Sequence, residues 1–164
     1  MNKSSYKILV ERRSIRSFKR DPVPETVMQE LFELSRWAPT ARNSQSYYFV
    51  VIKNPELIRF LSEIREPAKP IGNAPCAVAI CADPGKSRRY IQDGCIAAYH
   101  FMLAAWSLGL GTCWIADMDR PEVKEKLGIP NDHYVATVTP LGWPEVIPDP
   151  PPRKPAGDFF RIIE

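Results

Sequence analysis

Leu108-Gly109-Leu110-Gly111-Thr112-Cys113-Trp114 is the stretch on which the reading of the fold turns. Its paired glycines invite comparison with the G-x-G-x-x-G dinucleotide fingerprint, which would make the chain a doubly wound α/β protein. That fingerprint follows a strand, opens a helix and ends in Gly or Ala. Here the glycines follow a long apolar run, lead into the extended segment Thr112 to Ala116, and place Trp114 at the last position. The pattern is a poor match to the fingerprint and reads as a helix stop.

Working outward, Tyr90 to Leu108 reads as the longest helix. Ile91, Ile96, Tyr99, Phe101, Met102, Leu103 and Trp106 make it apolar on nearly every face, with Gly94, Ala97, Ala98, Ala104 and Ala105 as small spacers. A helix apolar all round belongs in a core or an interface. Upstream, a short helix from Ser4 to Arg12 precedes an amphipathic one that starts at Pro24-Glu25, with proline in the first turn and an acid at the positive end of the dipole. Tyr47 to Ile52 reads as a buried strand, Glu56 to Ile64 as a helix, and 65–75 as a flexible connection broken by Pro67, Pro70 and Gly72. Strands follow at Ala77 to Ala82, Thr112 to Ala116 and Val135 to Leu141. Asp119-Arg120-Pro121-Glu122 opens a short helix with cap-like spacing. The expectation is an α+β fold, a mixed sheet of four to five strands covered by helices, in a single domain spanning 1–164 with an extended tail from about residue 144.

Composition narrows the classes. The 164 residues are 45% hydrophobic and 25% charged, with a net charge of +3, too small to argue for nucleic acid. No apolar run approaches the length of a membrane span, and Ile8-Leu9-Val10 is too short for a signal-peptide core, so a cytoplasmic protein with a small-molecule partner is expected. Cys76, Cys81, Cys95 and Cys113 form no C-x-x-C pair and His100 and His133 lie far apart, which supports neither a metal site nor a disulfide framework. No nucleophile elbow accompanies so little histidine, and hydrolase chemistry falls away.

Three polar stretches could carry chemistry. Arg12-Arg13-Ser14-Ile15-Arg16 packs three guanidinium groups and a hydroxyl into five residues, a donor set suited to phosphate, although such a cluster can also be a solvated turn. Thr40-Ala41-Arg42-Asn43-Ser44-Gln45-Ser46 is either a solvated connector or a ligand loop at the mouth of a strand. Lys86, Arg88 and Arg89 read as a solvated helix entrance. Glu30 and Glu33 share a helix face that offers no environment to separate two pKa values.

Several separated stretches agree with one family. Arg12 to Arg16 with Phe18 and Pro22-Val23-Pro24, Ala38 to Gln45, Ala104 to Trp114, and Leu141-Gly142-Trp143-Pro144 with Pro152-Arg153-Lys154-Pro155 resemble, in order and spacing, the nitroreductase family of FMN-dependent oxidoreductases in its compact form. The resemblance implies an intertwined homodimer with FMN at the interface and NADH or NADPH as co-substrate. By position, Arg12 and one of Arg153 or Lys154 would hold the FMN phosphate, with Arg13 and Ser14 assisting. Arg16 would reach the pyrimidine edge of the flavin and stabilise the anion that forms on reduction. Pro39, Thr40, Ala41 and Asn43 would come from the second subunit, with Gln45 near the same loop, and backbone amides around Ala116 and Asp117 would face flavin N5.

The implied activity passes hydride from NAD(P)H through the flavin to a nitroaromatic, quinone or other electron-poor acceptor, with no side chain as a dedicated acid or base. The alternative is a protein that binds or stores FMN, or senses redox state, without turnover. Flavin fragmentation and dehalogenation belong to longer chains with added lids. Arg42, where relatives often have a small polar residue, makes the substrate channel more basic. Lys69 has no assigned role, and the shortness of the chain implies an open pocket.

Overall fold

The computed structural model describes residues 3–164, with side chains from Tyr6 onward, so the first two residues of the expected 1–164 domain lie outside the described residues. Its sheet has three strands, β1 (Tyr47–Ile52), β2 (Cys76–Ala82) and β3 (Tyr134–Leu141), with β2 in the middle and both neighbours antiparallel to it. Six α-helical and 3₁₀ segments of note surround them: α1 (Lys3–Glu11), α2 (Glu25–Ser35), α3 (Pro55–Glu63), a 3₁₀ run Glu66–Asn73, α4 (Tyr90–Ser107) and α5 (Pro121–Leu127).

Every residue of β2 is buried, and the period-two alternation of a strand divides them between two cores. Cys76, Val78 and Ile80 face α2 and α4, where they join Met28, Leu31, Ala97 and Phe101. Ala77, Ala79 and Cys81 face the opposite layer with Ile58, Leu61, Ala68, Ile71 and Val123. Phe101 is fully buried, with the rings of Phe49 and Phe32 at 5.4 and 6.2 Å. Full burial of such a side chain stabilises by about 2–3 kcal/mol.

Two expectations need correction. The sheet has three strands among the described residues, not four to five, because Thr112 to Ala116 does not form a ladder. It runs beside β3 and is held by threonine side chains. The Thr137 hydroxyl accepts from the Ile115 N–H at 3.2 Å and donates to the Ile115 carbonyl at 2.9 Å, and Thr139 donates to the Cys113 carbonyl at 2.9 Å. The connection after α3 is not a flexible stretch. Its prolines build the 3₁₀ run, which buries Ala68, Pro70 and Ile71.

Capping also differs in detail. Asn54 starts α3 by accepting from the N–H groups of Glu56 and Leu57. Asp119 does not cap α5: its carboxylate accepts from the Val135 N–H and pairs with the buried Lys124 at 2.8 Å. α4 buries one face and leaves Ile91, Ile96 and Tyr99 about half exposed.

Candidate functional site

Ile15 anchors the basic cluster. Its side chain is fully buried, its N–H donates to the Thr112 carbonyl at 2.9 Å, and a parallel bridge joins Ser14 to Thr112. Gly111 permits the approach, since a Cβ there would lie 2.7 Å from Ile15 Cβ. Gly109, at φ 78°, supplies the left-handed turn that ends α4. The glycine pair therefore stops a helix and also seats the Arg12–Arg16 segment against it.

Around that anchor the cations take different positions. Arg13 folds back and donates to the carbonyls of Val10 and Arg12 at 2.8 and 2.9 Å, which satisfies open acceptors at the end of α1. Arg16 is exposed, with one long contact to the Ser14 carbonyl at 3.4 Å. Arg12, Arg13, Ser14 and Arg16 line a cavity of about 290 Å³ whose other wall is tail: Pro148, Asp149, Pro151 and Arg153. Arg153 lines that cavity and Lys154 does not. Four guanidinium groups against one carboxylate leave it positive. The start of the tail is fixed by a hydrogen bond from the Ser17 hydroxyl to the Glu145 carboxylate, by the Glu145 N–H to the Ser17 carbonyl at 3.0 Å, and by a bridge between Phe18 and Pro144.

The loop Pro39 to Gln45 lies elsewhere in the chain. A 3₁₀ turn at Ala41–Asn43 forms its centre, and Arg42, Asn43 and Gln45 adopt left-handed backbone at φ 55°, 54° and 48°. Such conformations persist in non-glycine residues only where neighbours enforce them. Asp93 does so. This carboxylate on α4, 2% exposed, accepts from the Ala41 N–H at 2.9 Å and the hydroxyls of Ser44 and Ser46 at 3.2 and 2.9 Å. Burial pushes its pKa up, but hydrogen bonds from Ala41, Ser87, Ser46 and Ser44 more than reverse this and hold it below the ordinary value of 3.8. Thr40 accepts from the Gln45 N–H at 3.0 Å.

Ala41 and Ser44 line one hollow, Gln45 lines another with Phe32, Tyr47 and Phe49, and neither contains a residue of the Arg12 cluster. One chain alone thus leaves the two expected halves apart.

Ala116 and Asp117 sit on a third segment, after the threonine-bound run. Arg65 donates to the Ala116 carbonyl at 2.6 Å and pairs with the Asp117 carboxylate, while Asp117 takes φ 56°. With its carbonyl tied to Arg65, this segment has a fixed peptide orientation. The Asn73 side chain reaches the Arg16 carbonyl at 3.4 Å, and Lys69 is an exposed partner of Glu66 at 2.7 Å. Asp93, Arg65 and Asn73 hold these segments without standing out in the sequence. A lone acid on an apolar helix face was the available signal for Asp93, and nothing local marks the others.

Three of the four cysteines are not activated for thiol chemistry. Burial pushes Cys76 to about 11, Cys81 to about 12 and Cys113 to about 11, so these thiols stay neutral near pH 7. Among the described residues no cluster of His, Cys, Asp and Glu could hold a metal ion, and no helix is long and apolar enough to cross a membrane.

Fold and site together define an α+β protein with a positively charged cavity built from its N-terminal segment and its tail. The chain belongs to the nitroreductase family: the model described as "Nitroreductase family" matches residues 9–74 and 67–143. A protein of Archaeoglobus fulgidus, provisionally named NADH dehydrogenase/NAD(P)H nitroreductase, is 31% identical over 147 residues, covering 85% of this chain and 84% of the relative. The solved structure of an FMN-dependent nitroreductase from Clostridium difficile is 27% identical, covers 93% of each chain and superimposes with a TM-score of 0.80. A Parabacteroides distasonis structure, 23% identical and covering 98% of each chain, has a TM-score of 0.89 and shows the shared fold.

Proposed function

We propose that this chain is an FMN-dependent oxidoreductase, a single domain over 1–164 acting as an intertwined homodimer in the cytoplasm. It passes hydride from NADH or NADPH to a nitroaromatic, a quinone or another electron-poor acceptor. The observation that carries the reading is the cavity in which Arg12, Ser14 and Arg16 meet Arg153. Planar charged forks and a hydroxyl around a positive hollow fit a phosphate monoester. Family membership and the FMN-dependent relative support FMN as the bearer of that phosphate.

The cavity of about 290 Å³ suits the phosphate end of the cofactor and leaves the rest to a second wall. The loop Pro39, Thr40, Ala41, Asn43 and Gln45 of another copy is that wall. Apolar surface supports the second copy: Tyr6 and Leu9 on α1 are 67% and 61% exposed, and Phe159, Phe160, Ile162 and Ile163 of the tail are 66–80% exposed. These exposed apolar side chains, at both ends of the chain, are what contact with another copy would cover.

Bound FMN supplies a centre that accepts hydride and returns electrons to the second substrate. The residues supply the rest. Arg12, with Arg153 or Lys154, neutralises the phosphate, and Ser14 adds a neutral donor. Arg13, already committed to the end of α1, assists by holding that segment in place. Arg16, whose one side-chain hydrogen bond among the described residues is long, is available to the pyrimidine edge, where a fixed positive charge favours the reduced anion. Arg65 holds the Ala116 carbonyl and so fixes the peptide that carries the Asp117 N–H, in the segment whose Ala116 and Asp117 amides would face the cofactor. The test is oxidation of NADH or NADPH by the flavin-loaded protein with a quinone or nitroaromatic added. Turnover that depends on the acceptor is expected; flavin absorbance without turnover would contradict the enzymatic reading in favour of FMN storage.

A further inference from the structure

We propose that a second basic cavity, behind the loop Ala41 to Ser44, seats the phosphates of the nicotinamide co-substrate and selects NADPH over NADH. This rests on the hydride-transfer reading above and names its donor.

The cavity encloses about 750 Å³. One wall is Ala41, Arg42 and Ser44; the other is the connection from β2 to α4, with Lys86, Ser87, Arg88 and Arg89. Read along the sequence, Lys86, Arg88 and Arg89 are a solvated helix entrance. The fold adds Arg42 from another part of the chain, so that four cationic side chains surround one hollow. Among the described residues none of the four forms an ion pair or a side-chain hydrogen bond, whereas Arg36, Lys53, Arg65, Lys69, Arg120 and Lys124 all have carboxylate partners.

The nearby acids are occupied. Asp93 is buried under the donors of Ala41, Ser44 and Ser46, and Asp83 accepts from the Gly85 N–H at 2.8 Å and lies 3.6 Å from His133. Both walls are held in place: Asp93 fixes the loop, and the Ser87 hydroxyl accepts from the Arg89 N–H at 3.0 Å. The cavity also lies at the amino end of α4, where the helix dipole adds to the positive potential.

Four exposed cations, none with a carboxylate partner among the described residues, converge on this hollow, and a polyanion of more than two charges matches them. A pyrophosphate supplies about two, and a further phosphate monoester adds nearly two more at neutral pH. The loop that carries Arg42 is the one assigned above to the flavin of the partner copy, so a phosphate seat here adjoins the loop that would wall that flavin site. The net charge of +3 is too small to argue for nucleic acid.

The test is calorimetric titration of the purified, flavin-loaded protein with adenosine 2′,5′-bisphosphate and with AMP, beside the NADPH-to-NADH ratio of kcat/KM. In the wild type the bisphosphate should bind about tenfold or more tighter than AMP. In Arg88→Ala/Arg89→Ala that advantage and the kcat/KM ratio should each fall about tenfold, the usual size of charge-assisted contacts to phosphate, with flavin content retained. Arg88→Lys/Arg89→Lys should keep most of the preference. Equal affinity for the two probes, an unchanged ratio, or loss of flavin from the double alanine variant would overturn the proposal. A colourless wild type that still prefers the bisphosphate would contradict the FMN reading and uphold the phosphate seat; a yellow one without the preference would contradict the seat alone.

Discussion

The carboxylate of Asp93, buried in α4, accepts the backbone N–H of Ala41 at 2.9 Å and so pins a loop distant in sequence in left-handed backbone. The relationship predicts a pH effect with a definite sign. The folded-state pKa of Asp93 lies below its ordinary value of 3.8, so the carboxylate contributes stability that is complete above the ordinary carboxylate range and is lost as pH falls below it. Asp93→Asn should therefore destabilise by about 1–3 kcal/mol at pH 7 and flatten the acid limb of the stability profile, as read by denaturant titration from pH 7 to pH 3. An unaltered acid limb would show that Asp93 does not carry it.

Thr137 performs the pairing that a fourth strand would otherwise provide. Its hydroxyl both receives the Ile115 N–H and donates to the Ile115 carbonyl, and both residues are buried. Thr137→Val preserves shape and strands both backbone groups, at a cost of about 2 kcal/mol. Urea unfolding checks this; a cost near zero would mean that the segment re-pairs without the hydroxyl.

The arginines of the first cavity should separate by role. Arg12→Ala should weaken FMN binding about tenfold or more with little change in the ease of flavin reduction, whereas Arg16→Ala should weaken binding and also lower the reduction potential. Flavin titration and potentiometry on the two variants check the division, and indistinguishable behaviour would refute it.

Much of the fold was legible, for identifiable reasons. Tyr90 to Leu108 announced α4 through its apolar density, and the glycines after it announced its end. Two features were hidden because their causes are remote. Thr112 to Ala116 has a strand's composition, yet the hydroxyls of Thr137 and Thr139 take the hydrogen bonds of a ladder, and no local pattern encodes that exchange. Residues 65–75 hold the prolines and glycine of a loose connection, but Ala68 and Ile71 find a buried face beneath α3 and the run tightens into 3₁₀ turns.

For the site, the sequence exposed the cations but not their company. Arg12 to Arg16 stood out as a cluster, while its meeting with Arg153 and the grouping of Arg42 with Lys86, Arg88 and Arg89 required the chain to be folded. Arg65 carried no local mark because its targets, Ala116 and Asp117, come from another segment.

The Arg12 and Arg153 cavity is assigned to the phosphate of FMN. The visible absorption spectrum of the purified protein, followed by release and identification of the chromophore, tests it most directly. A yellow protein that releases FMN, close to one per chain, is expected; a colourless protein that takes up no added FMN would refute the assignment.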